Sequence, residues 1–215
     1  GLHPSTAHRI LASLIDNRLV EKDSGGRYRL GLRLLQLGVR LHSNIDLRSV
    51  ALPVMEALRD RFGESVNLTI REGDEVVYIE KATPNRMMHV QQLVGSRAPL
   101  HVTAVGKLML ARGSKEEREA YAARTNLPAY TRNTINDLPR LNKEAEQLRA
   151  QGYAFDNEEA EIGVGCIGAL IYDATDSIVA GLSVSAPIER RQSAWIDNLL
   201  QAARQVSEKL GHRAD

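Results

Sequence analysis

The sequence predicts an α+β fold, an antiparallel sheet with segregated helices, preceded by a small basic module of one helix and one hairpin. Three observations carry this. Apolar and polar residues alternate from Val66 to Glu80 and again from Ile167 to Ser185, the spacing of strands with one buried face. The stretches between and after these runs switch to the 3.6-residue period of amphipathic helices. Strands, then helices, then strands and a closing helix is the order of an antiparallel α+β domain. Residues 1–30 stand apart, as a short helix running into a Gly-Gly hairpin rich in arginine.

The length of 215 residues admits one large domain or two small ones, each able to bury a core. Basic and acidic residues almost balance, at 28 against 27, but unevenly: residues 1–40 hold seven Arg or Lys against three Asp or Glu, and the rest hold 21 against 24. A basic N-terminal module on a slightly acidic remainder suits nucleic acid at one end and a different ligand at the other. One cysteine excludes an intrachain disulfide and points to a reducing compartment. No apolar run approaches the ~20 residues that span a bilayer and no charged-then-apolar leader opens the chain, so a cytoplasmic protein without a membrane partner is expected. The chain starts on Gly1 inside a pattern that ordinarily follows other helices, so a further segment upstream is expected.

In the first helix, Ala7, Ile10, Leu11, Leu14 and Ile15 recur at one-face spacing, and Ser5 or Thr6 is placed to cap the first turn after Pro4. Ser5, Thr6, Arg9 and Ser13 fall on the opposite side. A helix laid in the major groove of DNA needs hydroxyls and Arg near its N-terminus and no apolar bulk facing the bases. Ser5, Thr6, His8 and Arg9 are therefore the candidates for that contact. The hairpin follows as Leu19–Lys22, a turn over Asp23–Gly26, and Arg27–Leu30. Arg27 and Arg29 leave one face and could straddle a sugar-phosphate backbone, positioning the protein without reading sequence. Either element alone is as readily an ordinary solvated surface. In tandem they read as the second half of a winged helix-turn-helix over residues 1–31, with double-stranded DNA as its partner.

Leu32, Leu34, Leu35, Leu37, Val39 and Leu41, with Arg33, Gln36 and Arg40 between them, predict a linker helix within 32–46. Its apolar residues fall on more than one side, which fits contact with a second chain and packing on its own domain equally well. A break at Asn44–Asp46 then opens the larger domain, 47–215, with a helix over 47–62 ended by Gly63. A hairpin joins Val66–Ile70 to Val76–Glu80 around Glu72–Asp74, and Met87–Leu93 reads as a third strand. Thr103–Ala111, Lys115–Arg124 and Leu138–Gln151 read as helices. Tyr153–Phe155, Ile167–Tyr172 and Ile178–Ser185 read as strands, and a closing helix runs over about Glu189–Leu210.

Three segments of this domain carry chemistry. In the first, Gly95–Lys107, Thr103 can cap a helix whose free N–H groups at Ala104, Val105 and Gly106 form a positive end fit for a small anion. The second is the polar run Asp156–Glu159 leading to Gly163-Val164-Gly165-Cys166-Ile167-Gly168. The third is Gly181–Pro187, where Ser183 and Ser185 point to one face of a strand. Two hydroxyls on a sheet opposite a helix N-terminus could grip a carboxylate from both sides.

Together with Pro4–Leu11, and in this order and spacing, these segments make the chain resemble the IclR-type bacterial transcriptional regulators over essentially its whole length. The resemblance implies a winged helix-turn-helix, a linker helix and a GAF-like effector-binding domain, assembled as dimers or dimers of dimers on a palindromic operator. It implies a small organic acid as effector and no other cofactor. Carried over by position, the pocket uses the backbone at Ala104 and Val105, the Asp156 carboxylate, Cys166, and the hydroxyls of Ser183 and Ser185, with Met87, Val90, Ala98 and Val164 as apolar wall. The family pattern at the helix start is Gly-Ala in members that take very small acids, where this chain has Ala104-Val105, and Ala98 stands where others carry Leu.

Two other classes compete. An enzyme would use Cys166 as nucleophile, His101 as base and Asp156 as orienting acid, but a lone Cys after Gly-Val-Gly is more often a small buried hydrophobe, so no catalysis is expected. The same three side chains are zinc donors, yet gaps of 55 and 10 residues match no short ligand motif. The other class is a dimerisation module with a vestigial pocket, against which stand the paired serines and the capped helix start.

Overall fold

A computed structural model describes residues 1–37 and 46–213, which fall in two compact units, Gly1–Asp46 and Leu47–Asp215. The N-terminal unit holds helix α1 (Pro4–Asp16) and the antiparallel pair β1 (Val20–Lys22) and β2 (Tyr28–Leu30). Pro4 takes the first helical position, where its missing N–H costs nothing, and His3 is the N-cap residue. Ser5 and Thr6 therefore lie inside the first turn, two and three positions past the capping residue; Ser5 Oγ instead meets His3 Nδ1 at 2.8 Å. No residue of α1 is buried within this unit. The turn between the strands is tied by Asp23, whose carboxylate accepts from the N–H groups of Gly25 and Arg27 at 2.9 Å. Of the expected linker helix, residues 32–37 are helical and residues 38–45 lie outside the described ones.

The second unit is built on a six-stranded antiparallel sheet in the order β5-β4-β3-β8-β7-β6. The strands are β3 (Ser65–Glu72), β4 (Glu75–Ala82), β5 (Arg97–Pro99), β6 (Tyr153–Asn157), β7 (Val164–Tyr172) and β8 (Ile178–Pro187). Alternation along β8 sorts its side chains: Ala180, Leu182, Val184 and Ala186 enter one core, and Gly181, Ser183 and Ser185 face the other way. The first core joins that face to α2 (Leu47–Phe62) and α6 (Ile196–Lys209), through Met55, Leu58, Leu199 and Val206. The opposite face is covered by α3 (Ala104–Arg112), α4 (Lys115–Thr125) and α5 (Leu138–Gln151), whose Leu108, Tyr121, Leu141 and Leu148 build a second core.

Two sequence expectations fail here. Met87–Leu93 is not a strand; the partner of β4 is Arg97–Pro99, reached through Gly95 at φ +90°. Met87 and Met88 are adjacent and both exposed, so the apolar count of that segment never had a period of two. The closing helix begins at Ile196 and not near Glu189, because two short 3₁₀ turns, Ile188–Arg190 and Ser193–Trp195, come between it and β8.

Candidate functional site

The second unit contains a cavity of about 100 Å³ between the sheet and the start of α3. Its floor crosses all six strands in order: Ala98 from β5, Val76 and Tyr78 from β4, Thr69 from β3, Ser183 from β8, Cys166 from β7 and Asp156 from β6. Thr103, Ala104 and Val105 form the roof, and Gln92, Ala160, Glu161 and Val164 the sides. The roof approaches so closely because β7 and β8 carry no side chain beneath it. A Cβ on Gly168 would lie 2.9 Å from the Val105 nitrogen, and one on Gly181 would lie 1.9 Å from Val105 Cγ1.

Thr103 caps α3, its Oγ1 accepting from the Gly106 N–H at 3.1 Å while its carbonyl accepts from Lys107. The first N–H groups of the helix belong to Ala104 and Val105, the residues that form the cavity roof, and helix geometry leaves such groups without an intrahelical acceptor. The polar centre of the floor is Ser183, 7% exposed, whose hydroxyl makes no hydrogen bond among the described residues. Ser185 is differently placed. It is off the cavity wall, accepts from Asn67 Nδ2 at 3.1 Å and lies 3.2 Å from Cys166 Sγ. Two further expected wall residues also lie elsewhere. Met87 is fully exposed, and Val90 meets Ser65 Oγ through its carbonyl oxygen at 2.5 Å; neither lines the cavity, to which the 83–96 loop contributes Gln92.

Asp156 stands at the other end of the floor, two strands from Ser183, so their backbones are at least ~10 Å apart at sheet spacing. It is 2% exposed, and its Oδ1 accepts from the Glu159 N–H at 2.8 Å. Burial raises its pKa to about 6, against the lowering effect of that backbone bond, with the neighbouring Glu159 carboxylate adding to the rise. Glu159 itself is buried against Lys107, whose Nζ is 2.5 Å from Glu159 Oε1 and 3.4 Å from Glu144 Oε1. Arg191 donates to the Asp156 carbonyl at 2.8 Å and covers the Phe155 ring. Burial, reinforced by Asp156, drives the Cys166 thiol far above its ordinary value, so it faces the cavity as a neutral, weakly polar group.

The third member of the imagined triad is committed elsewhere. His101 is fully buried, with Nδ1 2.7 Å from the Tyr121 hydroxyl and Nε2 3.1 Å from the Pro128 carbonyl oxygen. Burial lowers its pKa. Both ring nitrogens being engaged, it has no lone pair or proton to offer Cys166. No group of three or more His, Cys, Asp or Glu able to hold a metal occurs among the described residues.

In the N-terminal unit, Ser5, His8 and Arg9 are exposed along α1, Thr6 is half-buried, and Arg9 has no ion-pair partner among the described residues. The wing arginines are held by their own hairpin: Arg27 Nε is 3.1 Å from Asp23, and Arg29 forks onto Glu21 Oε2 at 3.0 and 2.7 Å. The Arg29 fork holds the Glu21 carboxyl below its ordinary range, and the Arg27 backbone N–H, aided by its side chain, does the same for Asp23. A furrow of about 690 Å³ in this unit, lined by Ile15, Arg18, Glu21, Lys22 and Arg33, is larger than the sheet cavity but broadly open and charged-walled. It is a surface groove and does not enclose a small molecule.

Comparison with known proteins accounts for this pairing of units. Residues 39–212 match the family described as bacterial transcriptional regulator IclR, C-terminal. The chain belongs to the IclR family. It is 36% identical over 215 residues to the HTH-type transcriptional repressor AllR of Escherichia coli (strain K12), covering 98% of this chain and 79% of that protein. The Salmonella typhimurium AllR is 39% identical over 187 residues, 86% of this chain and 69% of its own length. Among solved structures, the Agrobacterium tumefaciens repressor BlcR superposes with a TM-score of 0.82 at 29% identity over 99% of this chain and 86% of BlcR. The Thermotoga maritima IclR does so with a TM-score of 0.73 at 31% identity, over 98% and 87%. This IclR-family chain is thus a DNA-binding transcriptional regulator, not an enzyme, and its second unit has the fold of the family's effector-binding domain.

Three features of the site had left little trace in the sequence. Thr69, Val76 and Tyr78 read as ordinary strand residues, and only the pairing of β3 and β4 next to β8 brings them to the floor. Gln92 lies in a segment misread as a strand. The Lys107–Glu159 pair joins residues far apart in sequence whose burial no composition signal announces, although a Lys among apolar helix residues was a hint.

Proposed function

We propose that this regulator is released from its operator by a small carboxylic acid bound in the sheet cavity. The observation that carries this is the unpartnered Ser183 hydroxyl on the floor of a cavity of mixed polar and apolar walls, beneath the first turn of α3. An N–H donor pair and a hydroxyl facing one small volume suit a carboxylate. About 100 Å³ corresponds to roughly three water volumes at ~30 Å³ each, which favours an acid of two to four carbons. Asp156, neutral when an anion is near, supplies a hydrogen bond to a hydroxyl or keto group at the ligand's other end. Repression is carried over from the relatives named repressors.

On the DNA side, Arg9 of α1 reads a base in the major groove, with Ser5, Thr6 and His8 around it, and Arg27 and Arg29 hold the flanking phosphates by exchanging their carboxylate partners for the backbone. Leu32, Leu34, Leu35 and Leu37 are all exposed on residues 32–37, which supports burial of this helix against a second copy. A dimer of that kind calls for a palindromic operator, and the cytoplasm is where such a protein works.

The test is a titration calorimetry series of two- to four-carbon carboxylic acids, with and without a 2-hydroxyl, paired with operator gel shifts at the same concentrations. Binding by a subset that also releases DNA supports the proposal. Absence of binding across the series would favour the vestigial-pocket reading.

A further inference from the structure

Helix α3 has a second depression at its other end. About 190 Å³ in volume, it lies between the last turn of α3, the end of β7, and α6. Leu170, Tyr172 and Leu200 make its apolar floor, and Arg112, Arg204 and His212 line it from three separate segments. Half of the arginines among the described residues of this unit, eight of sixteen, are matched to an acid, as in Arg48 with Glu80, Arg71 with Glu117, Arg97 with Glu72, Arg124 with Asp74 and Arg190 with Glu64. Arg112 and Arg204 have no such partner among the described residues. The nearby acid, Asp176, is 2.9 Å from His212 Nδ1.

A helix C-terminus ordinarily repels an anion, but here its carbonyls are already occupied. Arg118 Nη1 donates to the carbonyls of Leu110 at 3.3 Å and Gly113 at 2.9 Å, and Arg149 donates to those of Ala111 and Gly113. The negative end of α3 is thereby covered. Arg112 acts on its surroundings: burial pushes the Tyr172 phenol up and the Arg112 guanidinium pulls it back. Tyr172 in turn stacks on His212 with ring centroids 5.3 Å apart.

We propose that this groove is a second ligand site, taking an organic anion with a flat apolar body whose carboxylate is held between Arg112 and Arg204. Two guanidinium groups on one depression repel each other until an anion lies between them, and planar forks suit a carboxylate. The apolar floor of Leu170, Tyr172 and Leu200 takes the body, which an inorganic ion does not have. The site is distinct from the sheet cavity and larger than it. Helix α3 lines both, through Val105 at its start and Arg112 at its end.

The test is calorimetric titration of the chain with benzoate and, separately, inorganic phosphate at low salt. The proteins are the unaltered chain, Arg112→Gln/Arg204→Gln, Arg204→Lys and Ser183→Ala. Benzoate should bind the unaltered chain, lose about tenfold or more in the double variant from the lost charge-assisted bonds, and fall between in Arg204→Lys. It should change less than about twofold in Ser183→Ala, since contacts that share no partner add independently. Phosphate should bind at least about tenfold more weakly than benzoate, lacking the apolar contribution. No benzoate binding, equal binding to the unaltered chain and both arginine variants, or loss in Ser183→Ala alone would overturn the site. Equal affinities for phosphate and benzoate would overturn its apolar specificity.

Discussion

Asp156 makes the sheet cavity sensitive to pH in a direction that follows from its burial. Its pKa is raised from 3.8 to about 6 in the folded protein. The folded state therefore binds this proton more tightly than the unfolded chain does. As pH rises from about 4 to about 6 the contribution of Asp156 to stability declines, and above that it is a constant cost of about 3 kcal/mol at 1.36 kcal/mol per pKa unit. An anionic ligand in the same cavity raises the pKa further, so binding takes up a proton above pH ~6. A simple carboxylate should then lose affinity toward a limit of about tenfold per pH unit. At pH ~7.5 the deficit is some 1.5 units, about 2 kcal/mol, and Asp156→Asn should recover up to about 30-fold of it. For an acid with a 2-hydroxyl the gain should be smaller, because the amide replaces the protonated carboxyl that is the hydroxyl's hydrogen-bond partner. The assay is titration calorimetry between pH ~5.5 and ~7.5 in buffers of different ionisation enthalpy, which counts protons directly. No proton uptake, together with identical pH profiles for the unaltered protein and Asp156→Asn, would refute this assignment.

The two serines should separate. Ser183→Ala should weaken a carboxylate by about 1.5–3 kcal/mol with little effect on folding, as expected for a hydroxyl donating to an anion. Ser185→Ala strips the acceptor from buried Asn67 Nδ2 and should instead cost about 1–3 kcal/mol in urea unfolding; reversed effects would show that the wrong hydroxyl has been placed in the cavity. Gly181→Ala puts a Cβ into Val105 and should destabilise by about 1–3 kcal/mol while lifting α3 from the sheet, so that acid binding falls with it. In the full regulator, Arg9→Ala should cost about 1–3 kcal/mol and relax preference at one operator position, measured by gel shifts on a mutant operator set. Arg27→Ala should weaken all sequences alike and flatten the salt dependence by about one unit of slope. Indistinguishable losses from these last two would mean that Arg9 does not read a base.

Much of the site was legible because its signals are local. The Thr103 cap and the Ser183–Ser185 alternation each depend on a few consecutive residues, and helix and strand geometry turn such spacing directly into direction. Met87 and Val90 were misplaced for the converse reason. Their segment has apolar residues but no period, and the path of a loop is set by distant anchors, here Ser65 holding Val90 and Arg190 holding the Met88 carbonyl. Ser185 shares a strand face with Ser183 yet points to Asn67, a partner supplied by a strand 118 residues away.

By itself the sequence determined the α+β class, the basic helix-and-hairpin module, the split between the two faces of β8 and the residues that mark the IclR family, since each is a matter of period, punctuation or ordered motif. Only the tertiary structure decided that Gly168 and Gly181 let α3 down onto the sheet, that His101 is consumed by Tyr121 and Pro128, and that Arg112 and Arg204 meet in one groove. Those outcomes depend on how strands and helices distant in sequence come to lie together, and burial, with the charge and pKa shifts that follow from it, exists only once they have done so.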